Sequence, residues 1–326
     1  MQFIRNKLGI IIPAYNEEKN IGKILESLEH QSICDFEVIV VDDGSSDETA
    51  TIVKNYKSKR YSLTLLQQEN KGAALARLAA IEKSTSTFIA VLDCDDSIAF
   101  DTLEKALIPI LKNNDIDISL FKLHYVNSIC DEKSVVFNYY TTKKLLDGID
   151  VFENCIKHWG VHGFGIYRKE LILKAYKIYN EINELNQNFL NNDEVISRIS
   201  FDISNKIAIT DGSYYFVNNP ESTTRRINFN YFKIINNAFI LLDYIKEKRE
   251  KGEFSDVSNN INSLIISTIW GVTIRYIKWN KHLSRDERLQ WRLAINQSLN
   301  QVKKLKLNRT LKESFKLLVI NSLIKK

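Results

Sequence analysis

The stretch Phe88-Ile89-Ala90-Val91-Leu92-Asp93-Cys94-Asp95-Asp96 constrains the fold most: a short apolar run ends in three acids within four positions. A continuous apolar run of this length reads as a strand buried on both faces, the habit of a parallel sheet. Three carboxylates at its end repel one another where water is scarce. A cation is expected among them, and a divalent metal with oxygen ligands is the natural candidate. The carboxyl ends of strands in open α/β sheets are also where ligands bind. The plainer alternative is that Asp95 or Asp96 only caps the next helix.

What precedes this stretch favours the first reading. Leu8 to Ile12 forms a first strand, stopped by Pro13. Asn16 reads as the N-cap of a helix whose first turn carries Glu17 and Glu18, and Ile21, Ile24, Leu25 and Leu28 give that helix one apolar face. Phe36 to Val41 is a second buried strand and runs into Asp42-Asp43-Gly44-Ser45-Ser46-Asp47. Ser45 and Glu48 have the spacing of a capping box. Leu63 to Leu66 is a third strand, and Asn70-Lys71-Gly72 turns it into an Ala-rich helix carrying Arg77. Strand and helix thus alternate four times in the first hundred residues, which predicts βαβ units and a parallel sheet. Three strand ends carry Tyr15 with Asn16, Asp42 with Asp43, and Asp93 to Asp96. Right-handed crossovers would gather these ends on one edge, in one crevice. Neither a GxGxxG fingerprint nor a P-loop is present.

With 326 residues, 44% hydrophobic and 26% charged, the chain suffices for one large domain or two smaller ones. A net charge of +5 is too small to argue for a nucleic-acid partner. Cys34, Cys94, Cys130 and Cys155 form no CxxC pair; they suit a reducing compartment and neither a disulfide framework nor a zinc site. The apolar run ending at Pro13 is too short for a signal sequence, and no run of about 18 apolar residues predicts a membrane span. From about Ile227 the pattern turns helical: Phe232, Ile235, Phe239 and Leu242 recur at helical spacing. Leu264 to Ile277 is apolar on most sides but is interrupted by Arg275 and followed by Lys278, so it reads as a core helix. Val302 to Lys326 carries Lys303, Lys304, Lys306, Arg309, Lys312, Lys316, Lys325 and Lys326 against only Glu313, interleaved with Leu305, Leu307, Leu311, Phe315, Leu318 and Leu323. This is either a basic amphipathic helix lying on a membrane or a solvated helix packed on its neighbours.

Pro13-Ala14-Tyr15-Asn16-Glu17, Val41-Asp42-Asp43-Gly44-Ser45, Lys71-Gly72 with Arg77, and Leu92-Asp93-Cys94-Asp95-Asp96 together resemble glycosyltransferase family 2 in order and spacing. Asn191-Asn192-Asp193-Glu194, and Tyr214-Tyr215-Phe216 followed by Asn219-Pro220-Glu221-Ser222, resemble the branch that builds bacterial surface polysaccharides. The resemblance covers roughly residues 8 to 226 and is vague between Ile116 and Asn188. It implies an α/β fold of GT-A type, a mostly parallel sheet flanked by helices, in a nucleotide-sugar-binding and catalytic domain over 1–226. A helical C-terminal region over 227–326 would follow. The implied activity is inverting, metal-dependent transfer of a hexose or N-acetylhexosamine. The donor is a nucleotide diphosphate sugar, UDP foremost, and the acceptor a hydroxyl of a growing surface glycan such as O-antigen or capsule. The expected cofactor is Mn²⁺ or Mg²⁺. The expected location is cytoplasmic, with peripheral contact at the inner face of the cell membrane through residues 302–326 if the acceptor is lipid-linked.

The resemblance assigns the nucleotide sugar to Pro13, Tyr15, Glu17, Asp42, Asp43, Lys71, Arg77, Asp93, Cys94 and Asp95. Tyr15 can stack on a pyrimidine, and Asp43 can accept the uracil N–H. Asp42 shapes the turn or contacts the ribose. Arg77 neutralises a phosphate or pairs with Asp93. Asp93 lies near the ribose, and Asp95, the second acid of a DxD spacing, ligates the metal. Cys94 takes part by packing, because neighbouring acids raise its pKa. Asp96 caps the loop before Asp101. Asp193 is the candidate general base, with Glu194 its rival and a plain N-cap the structural alternative; where the family has a Glu-Asp pair, this chain has Asn192-Asp193. Trp159, His162 and Gly163, in a run of glycines and aromatics, are the expected acceptor contacts, although a lone histidine is also a common structural residue. Two other functions compete. A non-catalytic nucleotide-sugar-binding or assembly protein would keep the same pocket. A sugar nucleotidyltransferase would need a Gly-rich basic loop after the first strand, where this chain is acidic.

Overall fold

The computed structural model describes residues 7–127, 134–183, 190–219, 226–250, 257–305 and 309–325. Cys130, Pro220, Glu221, Ser222, Lys306, Leu307 and Lys326 lie outside the described residues. The chain forms two compact units. The first takes 1–152, 160–178 and 196–219; the second takes 153–159, 179–195 and 220–326.

The first unit is built on one ten-stranded sheet. In chain order the elements begin with β1 (Leu8–Ala14), α1 (Ile21–Glu29), β2 (Phe36–Asp42), α2 (Thr49–Asn55), β3 (Tyr61–Gln67), α3 (Ala73–Lys83) and β4 (Phe88–Val91). Then come β5 (Ser97–Ile98), α4 (Thr102–Lys112), β6 (Ile116–Val126), β7 (Val135–Val136), β8 (Leu145–Asp147), α5 (Gly148–Ile156), β9 (Gly165–Arg168), α6 (Lys169–Ile182), α7 (Asn192–Ile203) and β10 (Lys206–Val217). The strand order is β3-β2-β1-β4-β9-β6-β10-β5, with β7 on β6 and β8 on β10. β3, β2, β1 and β4 are mutually parallel, as the alternation of apolar runs with amphipathic helices predicts. β9 is antiparallel to β4 and β6 on either side of it. Ile10, Ile12, Val38, Val40 and Ala90 are buried in the central strands, where helices cover the sheet.

The second unit contains α8 (Ile234–Glu250), α9 (Val257–Trp279), α10 (Arg285–Lys304) and α11 (Leu311–Lys325). Its centre is Trp291, fully buried, with Phe232, Tyr276 and Trp279 around its ring and its indole N–H donated to the Phe229 carbonyl at 2.7 Å. Ile261, Ile265, Ile266, Ile269 and Val272 line the buried side of α9, which is therefore the expected core helix. Among the described residues no helix is long and apolar enough to cross a membrane.

Candidate functional site

Parallel pairing of β2, β1 and β4 puts the ends of these strands on one sheet edge. Tyr15 follows β1 and is 44% exposed, an open aromatic face at that edge. The two loops beside it are tied to each other. Asn16 adopts a left-handed backbone (φ 56°); its amide donates to Ser45 Oγ at 2.9 Å, and its Oδ1 accepts from the Ser46 amide at 2.9 Å. This corrects two expectations. Asn16 does not cap α1, which starts at Ile21, and Ser45 and Glu48 form no capping box. Both side chains are taken up across the sheet edge, where β1–β2 pairing holds the loops side by side.

Asp42 and Asp43 are buried. Asp42 shapes its turn: Oδ1 accepts from the Ser45 amide at 2.9 Å and Oδ2 from Gln67 Nε2 at 3.1 Å. Asp43 holds the turn that begins α3, accepting from Gln68 Nε2 (2.7 Å), the Lys71 amide (2.8 Å) and the Gly72 amide (2.7 Å). A carboxylate has about four acceptor positions, so one remains for a ligand N–H. Gly44 (φ 80°) and Gly72 (φ 85°) occupy the left-handed backbone region that these two turns require. Lys71 is exposed beside them.

The acid loop after β4 is held from two directions. Arg77 Nη2 of α3 meets Asp93 Oδ1 at 3.0 Å, the pairing expected as one of its two roles. From the other side, the end of β10 grips the next two acids. Asn219 Nδ2 donates to Asp95 Oδ2 at 2.9 Å. Tyr214 Oη donates to Asp96 Oδ2 at 2.7 Å, and the Val217 amide to Asp96 Oδ1 at 2.9 Å. Asp96 is therefore a buried anchor to β10 and not a loop cap; Asp101 stands at the N-terminus of α4. Tyr214 is fully buried and stacked on Phe164 with centroids 4.5 Å apart. The sequence marks Tyr214 and Asn219 only through the resemblance; their hold on Asp96 and Asp95 is not readable there, because nothing local links residues 118 and 124 positions apart.

Charge accumulates at this loop. Burial, then the nearby Asp93 carboxylate, pushes the Asp96 carboxyl up to about 8. Burial raises Glu17 too, with Asp95, Asp93 and Asp47 adding to the rise. The buried Cys94 thiol is pushed well above its usual range by burial and by Glu17, Asp93, Asp95 and Asp96; its Sγ donates to the Pro13 carbonyl at 3.3 Å, the packing role expected of it. A cation would relieve these shifts. Among the described residues no three His, Cys, Asp or Glu side chains group to hold a metal. The residues therefore make no closed cage. Asp95 is the side chain that could hold a hard divalent ion here, and such an ion would need its remaining oxygens from outside the chain.

The Trp159–Gly165 run behaves differently from expectation. His162 is buried: Nδ1 accepts from the Phe164 amide at 3.1 Å, which leaves the proton on Nε2, 2.8 Å from Tyr139 Oη. Burial lowers its pKa to about 3, so it is neutral. Phe137, Tyr139 and Phe164 surround it. His162 is a core residue rather than an acceptor contact, because its ring nitrogens and faces are already used. Gly163 is half-buried and lets Ser197 approach: a Cβ there would lie 2.6 Å from Ser197 Oγ. Trp159 is half-buried in the second unit.

Asp193 also belongs to the second unit, exposed in the first turn of α7, with Oδ1 accepting from the Glu194 amide at 3.0 Å. Asn192 beside it is buried in a neutral network. Its Oδ1 lies 2.7 Å from Tyr179 Oη and accepts from Asn237 Nδ2 at 3.0 Å, while Asn191 Oδ1 accepts from the same Nδ2 at 2.8 Å.

The family model described as Glycosyl transferase family 2 matches residues 9–174. The chain is 30% identical over 174 residues to YibD, an uncharacterized glycosyltransferase of Escherichia coli (strain K12), covering 52% of this chain and 50% of that protein. It is 32% identical over 154 residues to WfgD of Escherichia coli, a UDP-Glc:alpha-D-GlcNAc-diphosphoundecaprenol beta-1,3-glucosyltransferase, covering 47% and 56%. The chain thus spans about half the length of these curated relatives. The crystal structure of Staphylococcus aureus TarS 1–349 in complex with UDP is similar over 90% of this chain and 80% of that one, with a TM-score of 0.59 and 22% identity. That likeness bears out the GT-A type fold, a mainly parallel sheet flanked by helices with further helices after it.

Proposed function

The chain belongs to glycosyl transferase family 2, and on that premise we propose that it transfers a sugar from a nucleotide diphosphate donor, UDP foremost, to a hydroxyl of a surface glycan with inversion. The observation that carries this reading is the convergence of Tyr15, Asp43, Arg77 and the Asp93–Asp96 loop on one sheet edge, in a field of raised carboxyl pKa values. The proteins it resembles point the same way: WfgD is named for a UDP-glucose donor, and TarS is crystallised with UDP.

In this reading Tyr15 stacks on the pyrimidine, and Asp43 spends its remaining acceptor position on the base N–H. Asp42 fixes the turn beneath them. Pro13, Glu17, Lys71 and Cys94 complete the donor side, with Arg77 holding Asp93 toward the ribose. Asp95 would hold Mn²⁺ or Mg²⁺ together with the diphosphate, and that ion supplies Lewis-acid stabilisation of charge on the leaving group. Asp193 takes the proton of the acceptor hydroxyl as its oxygen forms a bond to the anomeric carbon and the bond to the diphosphate oxygen breaks. The diphosphate leaves as an anion and needs no proton, so one carboxylate suffices. We assign the donor chemistry to a domain over 1–226 and a helical region to 227–326. Trp159 and Gly163 remain candidates for the acceptor side. The acceptor is lipid-linked in this proposal, so enzyme and acceptor meet at a membrane surface through residues 302–326.

The test is Asp193→Asn. Transfer should fall by at least the ~100-fold typical of a lost general base, with UDP affinity by calorimetry unchanged. A variant that transfers at near the parent rate would remove Asp193 from the mechanism. A chain that binds UDP-sugars in Mn²⁺ yet never releases UDP would be a binding protein instead.

A further inference from the structure

Helix α11 carries two apolar rows on opposite sides. Leu317, Ile320 and Ile324 form a buried row. Leu311, Phe315 and Leu318, at i, i+4 and i+7, form an outer row that is 91%, 66% and 68% exposed. A helix needs one apolar face to pack, and a second open to water is a liability unless something covers it.

The charges around the outer row show what would cover it. Between residues 302 and 326 the single acid is Glu313. It is only 8% exposed: Oε1 accepts from Ser263 Oγ of α9 and Oε2 from the Thr310 amide at 2.7 Å. The cations remain outside. Lys303, Lys304, Arg309 and Lys312 are exposed, and Lys312 and the half-buried Lys316, four positions apart, run along one side of the outer row. The outer face therefore offers apolar side chains with cations beside them and no carboxylate from its own helix. Long basic side chains can lie along apolar surface while their charged ends reach phosphate level.

We propose that the Leu311–Phe315–Leu318 face of α11 docks on an anionic lipid surface, the three apolar side chains entering the acyl boundary and Arg309, Lys312 and Lys316 meeting lipid phosphate. A second copy of the chain fits less well. A two-fold contact sets this patch against itself, basic face to basic face, with no exposed acid on α11 to answer the cations. The proposal deepens the peripheral contact suggested above and rests on that reading for its biological setting. The binding itself does not depend on turnover.

The full chain should float with vesicles of phosphatidylcholine containing phosphatidylglycerol and stay behind with phosphatidylcholine alone. Added salt should weaken the binding. The triple variant Leu311→Ser, Phe315→Ser, Leu318→Ser should lose flotation while its circular dichroism and UDP affinity stay at parent values. The pair Arg309→Gln, Lys312→Gln should weaken binding roughly fivefold for each charge removed. Flotation that is absent, that ignores phosphatidylglycerol, or that survives both sets of substitutions would overturn the proposal. So would light scattering that shows a dimer converted to monomer by the triple variant, since the face would then join two copies. Catalysis is scored separately by the Asp193→Asn experiment, so either idea can fail alone.

Discussion

Asp96 shows how a single residue settles the geometry of its neighbours. It is buried beside the half-buried Asp93 and Asp95, and both its oxygens are held by β10, through Tyr214 and the Val217 amide. Removing the Tyr214 hydroxyl strands one oxygen of a buried carboxyl, which costs about 1–3 kcal/mol. Tyr214→Phe should therefore lower stability by that amount in urea titrations and loosen UDP binding in Mn²⁺. Unchanged UDP affinity would confine Tyr214 to the core. His162 gives a residue-scale pH signature. Its folded pKa of about 3 lies below the ordinary histidine value, so between these two pH values the unfolded chain holds the extra proton. Its contribution is thus present above about pH 6.5 and lost as pH falls toward 3, at up to ~1.4 kcal/mol per pH unit. His162→Gln should be less stable at pH 7 but show a shallower loss on acidification, read as melting temperature against pH.

At the scale of elements, β1 through β4 were legible because each strand is a short apolar run and each helix has one apolar face, patterns that close within a dozen residues. The caps were misread for the opposite reason. Spacing made Asn16 and Ser45 look like helix caps, but pairing of β1 with β2 sets their loops together, and they bond to each other first. Likewise the return of β10 beside β6 depends on pairing between segments about ninety residues apart, and its grip on the acid loop on contacts longer still, which no local pattern records. The glycines and aromatics of Trp159–Gly165 suggested an open platform, yet His162 and Phe164 fill the aromatic core around Tyr214. The turn into α3 yields a prediction at this scale. Gly72 holds φ 85° and donates its amide to Asp43. Gly72→Ala should cost about 1–3 kcal/mol of backbone strain and weaken UDP binding through Asp43. A variant that melts earlier but binds UDP normally would separate this turn from the donor site.

At the scale of the whole molecule, the charge is unevenly placed. The chain is net +5, yet the crevice edge gathers Glu17, Asp93, Asp95 and Asp96, while cations crowd the last helix. An acidic crevice repels a diphosphate until a divalent ion offsets the charge. EDTA should therefore depress UDP affinity at least tenfold in calorimetry, Mn²⁺ should restore it, and Asp95→Asn should make affinity insensitive to Mn²⁺. Equal affinity with and without metal would place the charge compensation in Arg77 and Lys71.

The inward turn of Glu313 has one more effect. Because its bond to Ser263 and the row Leu317, Ile320 and Ile324 join α11 to the bundle that contains α9, the last helix is a wall of its unit and not a detachable tail. A chain shortened before residue 302 would bare an oily seam and clump in solution. Attachment to lipid must then be dissected side chain by side chain, since pruning the end would ruin the very body it decorates.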